Sequence, residues 1–150
     1  MFHFEQEIER HKLAEETARD PVEEMLMHLQ AAEKTFSEIP PFMIYEIQKY
    51  YPAAWKHFDH FKENQVLEDI RSNLYKGVEM GLFRKDMNVE LVAKLRLMEF
   101  EMIINIDMEK APDTDPSQLQ LELFRIFLHG VVTMRGKKLI YKYLNQPEDE

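Results

Sequence analysis

Apolar residues return every three or four positions along almost the whole chain, and this spacing constrains the fold more than any other feature. It places them on one face of an α-helix, whereas a strand needs strict alternation punctuated by turn residues. Glycine is scarce, at 4 of 150 residues, and no segment sustains a strand's alternation. The sequence therefore predicts an all-α protein, an antiparallel bundle of about six helices that forms one domain over residues 1–150.

Proline and side-chain acceptors mark the first predicted helix ends. Asp20 is a suitable N-cap, Pro21 fits the first helical position and Glu23 can complete a capping box. A Pro-Pro pair at positions 40–41 removes backbone donors and ends this helix. The segment 42–50 is apolar on nearly every side, so we expect a short buried helix there.

The second half of the chain predicts three further helices. A long one begins at Pro52 and closes at Gly81, where glycine suits the left-handed conformation. Asn88 caps the next helix, and Asp115 begins a last helix that runs through Met134. The residues expected on the buried face of the helix after Asn88 are Leu91, Leu95, Met98, Met102 and Ile106.

The last predicted helix is apolar on two sides. Such a helix in a small domain packs on its own core and also on something outside it, and a homodimer is the simplest partner. Gly130 within this helix suits a position where another backbone comes close. The residues assigned to the dimer interface are Leu95, Leu123, Phe127, Gly130, Val131 and Met134.

The chain ends differ from the bundle in composition. Residues 4–18 form an amphipathic segment rich in glutamate, which we interpret as the exposed part of a longer helix. The acidic tail at 147–150 is expected to be disordered.

Charge and composition exclude several functions. Lysine plus arginine less aspartate plus glutamate is 19 − 28 = −9, a balance that disfavours direct contact with a nucleic-acid backbone. The chain has no cysteine, which excludes disulfides, thiolate catalysis and cysteine-based zinc sites. No apolar run approaches the ~18 residues of a membrane span, and no signal peptide is visible. We expect a cytoplasmic protein without a membrane segment.

No familiar catalytic signature is present, so we predict neither an enzyme nor a cofactor. Phosphate-binding glycine loops, nucleophile elbows and zinc-protease helices are all missing from the sequence. His57 and His60 lie near Asp59 and Glu63, which leaves a metal site as one alternative. An exposed histidine pair beside an apolar stripe is the better interpretation, and we predict no metal.

Methionine and aromatic residues are abundant, with Met 10, Phe 10, Tyr 6 and Trp 1. Flexible thioethers and flat rings suit adaptable apolar pockets, and tyrosine and tryptophan add polar groups that orient a ligand. The residues predicted to line a ligand cavity are Met25, Leu29, Tyr45, Tyr51, Trp55, Phe58, Tyr75, Met98 and Met102. Several of them can equally be ordinary core.

Two segments resemble TetR-type transcriptional regulators. The letters GVEMGLFRKD at positions 77–86, followed by NVELVA at 88–93, look like the exit of the long helix and the start of the next in that family. The letters FLHGVVTMRG at 127–136 resemble its final dimerising helix. The family's helix-turn-helix does not precede Met1, so the resemblance covers only the sensing half of such a regulator.

The resemblance implies a function as well as a fold. Residues 1–18 would be the remnant of the helix that connects to a DNA-binding domain, and the last two helices would form a four-helix bundle with a second copy. A small apolar or amphipathic effector would control DNA binding, as in a repressor, through that absent domain. Two alternatives stay open, a homodimeric interaction module without a ligand and a small metal-binding helical protein.

Overall fold

The computed structural model describes residues 9–10, 12–13, 15–38, 41–105 and 112–145, apart from the side chains at 35–37, 41–42 and 62. Within these ranges it contains seven α-helices and no strand, which confirms the all-α prediction. Their bounds are α1 Pro21–Glu38, α2 Pro41–Tyr50, α3 Pro52–Phe61, α4 Leu67–Glu79, α5 Val89–Ile104, α6 Pro116–Val131 and α7 Met134–Leu144. The described residues between 9 and 17 are helical too, whereas the predicted tail at 147–150 lies outside the described residues.

The predicted N-caps are present. The Asp20 carboxylate accepts the backbone N–H of Glu23 at 2.9 Å. The Glu23 carboxylate accepts the N–H of Arg19 at 3.0 Å, one residue before the position that a capping box uses. Asn88 and Asp115 accept backbone N–H groups in the first turns of α5 and α6, at 3.2 and 2.9 Å. These local signals are confirmed because they depend only on neighbouring residues.

The long helix predicted from Pro52 is continuous but not uniform. A π-helical segment, Lys62–Val66, joins α3 to α4, so the backbone stays helical with one widened turn. Gly81 follows α4 with φ +73°, the left-handed conformation expected there.

Burial of α2 was predicted wrongly. Met43, Ile44 and Ile47 are only half-buried, while Tyr45 and Tyr50 are exposed. Ile44 and Ile47 pack with Trp55 and Phe100 onto a small cluster formed by Phe58 and Ile104. Helix α2 therefore lies at the edge of the bundle, where an apolar composition does not guarantee burial.

The last predicted helix is divided into α6 and α7. Val132 pairs with Phe83 in an isolated bridge, which takes the chain out of the helix. The Thr133 hydroxyl donates to the Gly81 carbonyl at 2.7 Å and accepts the N–H of Gly136 at 3.3 Å, so it caps α7. The break depends on contacts with a distant turn, which helical spacing cannot indicate.

The turn after α4 fits against this junction because two glycines leave room. A Cβ on Gly77 would lie 1.9 Å from Cδ2 of Phe83, whose ring is buried against the helix. A Cβ on Gly136 would lie 2.3 Å from the carbonyl oxygen of Leu82. Arg84 pairs with Asp86 at 3.0 Å and also donates to a carbonyl at the end of α6.

Helix α1 is central to the packing. It contacts α4, α6 and α7, while α5 packs between α4 and α6. The main core includes Val22, Met25, Leu26, Leu74, Phe83, Phe124, Leu128 and Ile140. The position of α1 therefore depends on its contacts with α4, α6 and α7.

The buried face predicted for α5 is the wrong one. Leu91, Leu95, Met98 and Met102 are all about half exposed or more, and Ile106 lies outside the described residues. The core instead receives the opposite face, with Val89, Ala93, Leu97, Ile103 and Ile104. Helix α5 is apolar on both sides, so its periodicity does not decide which side turns inward.

Candidate functional site

A small apolar cavity of about 70 Å³ lies where α1 and α3 to α6 meet. Its walls are mostly aromatic and aliphatic, with few polar groups. The lining residues are Met25, His28, Ala32, Phe58, Phe61, Val66, Ile70, Asn73, Arg96, Phe100, Phe124 and Phe127. This pattern, an apolar wall with a few polar groups, is typical of small-molecule sites.

Asn73 is the first polar group of the cavity and is only 2% exposed. Its Nδ2 donates to the carbonyl of Pro21 at 2.9 Å, at the start of α1. Its Oδ1 has no hydrogen-bond partner in the described part of the chain. An unpaired buried acceptor costs about 1–3 kcal/mol, so a bound donor would recover stability there.

Glu24 is a second buried polar group, and it interacts with the Asn73 side chain. Burial raises the pKa of its carboxyl group, and Lys76 and the Asn73 amide act in the opposite direction. The first turn of α1 therefore carries a buried carboxyl group, and ionisation of this group lowers the stability of the fold.

Arg96 is the main cation at the cavity. Its guanidinium lies 5.2 Å from the ring centroid of Phe124 and 5.6 Å from that of Phe127. Nη1 donates to Glu99 at 3.3 Å, and the two side chains are only 13% and 18% exposed. Burial lowers the pKa of Arg96 and raises that of Glu99, while their pairing opposes both shifts.

Gln120 is completely buried, at 0% exposure. Neither polar atom of its amide has a partner in the part of the chain that the structure describes. It lies one turn before Phe124 on the same face of α6, because residues four apart share a face. Buried amide atoms without a partner among the described residues are therefore found on both α4 and α6.

A groove of about 550 Å³ runs along the outside of α1, α6 and α7. Phe124 lines both this groove and the inner cavity. Its ring is therefore a wall between the cavity and the surface.

The predicted cavity residues are distributed unevenly. Met25 and Phe58 line the cavity, and Trp55 packs on Phe58 with ring centroids 5.4 Å apart. Leu29 lines the outer groove instead. The remaining predicted residues are exposed and do not line the cavity: Tyr45, Tyr51, Tyr75, Met98 and Met102.

Sequence reasoning missed the polar groups of the cavity. Asn73 follows Ile70 by three residues and therefore interrupts an apolar stripe of α4. Arg96 lies between Ala93 and Phe100 on the inner side of α5. The signal in the sequence that could have identified Asn73 and Arg96 is a polar residue on an otherwise apolar helix face.

Helices α5 and α6 pack against each other, and each carries an apolar stripe that is at least partly exposed. The α5 stripe consists of Leu91, Leu95, Met98 and Met102, and Met98 is 62% exposed. The α6 stripe consists of Leu119, Leu123, Ile126 and Gly130, and Ile126 is 69% exposed. Both follow the spacing i, i+4, i+7, i+11, which marks one face of a helix.

The residues predicted for the dimer interface divide between these stripes and the core. Leu95 belongs to the α5 stripe, and Leu123 and Gly130 belong to the α6 stripe. Met134 is exposed at the start of α7. The other two predicted residues, Phe127 and Val131, are buried within the chain itself.

No group of three histidine or acidic residues suited to a metal ion occurs among the described residues. His57 and His60 are both exposed on α3, and the amide of Asn64 lies 3.2 Å from the His60 ring. No described helix has the length and apolar character that crossing a bilayer requires.

Comparison with known proteins finds a similar fold. No model of a known protein family matches the sequence, and no curated protein does. Among solved structures, the chain is similar to the ketosteroid transcriptional regulator KstR2 of Mycobacterium tuberculosis. The match has a TM-score of 0.62 at 17% identity and covers 87% of this chain and 68% of that one. The chain therefore has a TetR-like helical fold.

Proposed function

We propose that this chain is the effector-sensing and dimerisation domain of a cytoplasmic transcriptional repressor. A small apolar or amphipathic molecule binds in the cavity and controls DNA binding by a domain outside these 150 residues. The single observation that carries the proposal is the apolar cavity, lined by a residue whose buried acceptor has no hydrogen-bond partner among the described residues. The similarity in fold to a transcriptional regulator supports the same assignment.

The size of the cavity determines how a ligand enters. At about 70 Å³ it is much smaller than the roughly 300–1,000 Å³ of typical ligand pockets. A ligand must therefore displace side chains, and Phe124 is the natural one to move because the outer groove lies behind its ring. Binding then changes the packing of α6 against α1, which gives the ligand different affinities for two arrangements.

The start of α1 connects the cavity to the helical residues before it. Asn73 lines the cavity and donates to Pro21, and residues 18–20, which are not helical, separate Pro21 from helical residues 15–17. A ligand that bonds to Asn73 changes the environment of this contact. Coupling between two sites typically amounts to about 1–3 kcal/mol, which is enough to change DNA affinity several-fold.

The same proposal includes a homodimer built on the α5 and α6 stripes. Two neighbouring helices with partly exposed apolar stripes can form half of a four-helix bundle, which a twofold axis completes. A stable dimer buries roughly 800 Å² on each subunit, and two such helices can supply it. Gly130 lies at the end of the α6 stripe, and beyond its own helical turn no atom of the described residues lies within 4 Å of an added Cβ.

A thermal-shift screen tests the sensing function. The chain is heated with a panel of apolar and amphipathic compounds, and at least one is expected to raise the melting temperature. A ligand at a hundred times its Kd contributes about 2.7 kcal/mol, or roughly 5–10 °C for a domain of this size. A broad panel without any stabilising compound would contradict the proposal.

Sedimentation tests the dimer. We expect Met98→Glu to weaken self-association by at least about tenfold, because a buried charge would lie in the seam. Met80→Glu is the matched control, since Met80 is similarly exposed but lies on the turn after α4. Equal masses for both variants would contradict the assignment of the stripes. A dimer that binds no ligand would favour the second candidate, an interaction module.

A further inference from the structure

The Arg96 guanidinium is a cation that the sensing proposal leaves unused. Its only hydrogen-bond partner in the described part of the chain is Glu99, through one bond of 3.3 Å. A guanidinium has five donors and pairs best with a carboxylate through two parallel bonds. Most of its donor capacity is therefore unused, although the side chain is largely removed from water.

We propose that the ligand of this cavity is an amphipathic acid, and that its ionised carboxylate binds Arg96 in exchange for Glu99. This inference rests on the proposed sensing function and adds the chemical class of the effector. The ligand's apolar body lies among the rings of Phe58, Phe100 and Phe124. A hydroxyl or other donor on that body bonds to the unpaired Oδ1 of Asn73.

The charges present favour a carboxylate over a phosphate. Arg96 is the only lysine or arginine among the described residues that line the cavity, so it matches one negative charge. A phosphate carries more charge than this wall can compensate, and an apolar site strongly penalises unpaired charge. The flat guanidinium also suits the flat, two-oxygen geometry of a carboxylate.

A ligand carboxylate can replace Glu99 as the partner of Arg96. Burial raises the pKa of its carboxyl group and pairing with Arg96 opposes that rise, so loss of the pair shifts Glu99 further toward its neutral form. The exchange leaves one ion pair in the cavity, between Arg96 and the ligand. Loss of the Glu99 contact also frees α5 from a constraint within its own turn, since the two residues are three apart on that helix.

Matched series of compounds test the inference. Each series has one body, either a medium-length alkyl chain, a naphthalene or a fused four-ring skeleton, carried as the carboxylic acid, the primary amide and the alcohol. Binding is followed by thermal shift and by the fluorescence of Trp55, the only tryptophan of the chain, which packs on Phe58 of the cavity wall. We expect the acid of at least one series to bind at least about tenfold more tightly than its amide.

Variants distinguish recognition of the acid from a structural role of Arg96. Arg96→Gln is expected to weaken binding of the acid about tenfold and to leave the amide within about twofold. Glu99→Gln is expected to tighten binding of the acid because it removes the competing carboxylate. Glu101→Gln, on the same helix and outside the cavity lining, is the control. The expected effect of Glu99→Gln is a gain in affinity for the acid. A gain cannot result from loss of the fold, so the test stays valid even when Arg96→Gln destabilises the chain.

The outcomes separate the two proposals. Acids that bind better than amides, with opposite effects of the two variants, support the carboxylate assignment. Amides or alcohols that bind as tightly as acids, or acids unaffected by both variants, would overturn it and leave the sensing function standing. Failure of every compound to bind would count against both.

Discussion

Substitution of Gly77 by alanine tests how the turn after α4 is built. An added Cβ would lie 1.9 Å from Cδ2 and 2.3 Å from Cε2 of Phe83. The ring is 1% exposed, and Phe83 is held by its bridge to Val132, so the ring cannot move away without leaving the core. We expect Gly77→Ala to destabilise the protein although alanine is the better helix former.

The magnitude follows from two opposing effects. Forcing an extra methyl group into a packed core costs about 1–3 kcal/mol, and a contact this short belongs at the upper end. Alanine in a helix interior recovers about 1 kcal/mol relative to glycine. The net loss is about 2 kcal/mol, which corresponds to roughly 4–8 °C in melting temperature for a chain of this length.

Urea denaturation in two backgrounds isolates the contact. Phe83→Ala removes the ring and itself costs about 3–5 kcal/mol. In that background the three nearest contacts of the added Cβ are gone, and Gly77→Ala is expected to stabilise by about 1 kcal/mol. The effect of the alanine therefore changes sign between backgrounds. The same loss in both backgrounds, or a gain in the wild-type chain, would refute this account of the turn.

Three further predictions concern charge and assembly. Glu24→Gln should raise stability at pH 8 but not near pH 4. Because the pKa of Glu24 is raised in the folded chain, the contribution of this residue to stability falls as pH rises. Equal effects of the substitution at both pH values would contradict this prediction. Tyr143 bonds to Asp20, and burial and that bond raise its pKa to about 12. The stability difference between wild type and Tyr143→Phe should therefore be constant below pH 10 and fall as pH approaches 12; a constant difference throughout would argue against the bond. Gly130→Leu should raise the monomer fraction in analytical ultracentrifugation, and an unchanged mass would remove Gly130 from the seam.

Local signals were enough to predict the helices but not their environment. Asp20, Asn88 and Asp115 act as N-caps because a cap depends on residues within one turn. The division between α6 and α7 was missed because Val132 leaves the helix to pair with Phe83, about fifty positions earlier. Contacts at that distance leave no periodic trace in the sequence.

The candidate site was predicted in part for a similar reason. Met25 and Phe58 lie on apolar stripes that turn inward, so composition and spacing identify them. Met98 and Met102 have the same chemistry but lie on the outer side of α5, where they join the proposed dimer surface. Arg96 was missed because the spacing of Leu91, Leu95, Met98 and Met102 assigned the opposite face of α5 to the core, which left Arg96 on the side assigned to solvent.

Isothermal titration of the wild-type chain and of Ala32→Leu tests ligand sensing most directly. Ala32 lines the cavity, and a leucine side chain there fills much of a space of about 70 Å³ while keeping the wall apolar. With the most stabilising compound, we expect one ligand per chain, a negative heat-capacity change from apolar burial, and no binding to the folded Ala32→Leu variant. Unchanged binding to the filled variant would contradict the account, because the ligand would then lie elsewhere.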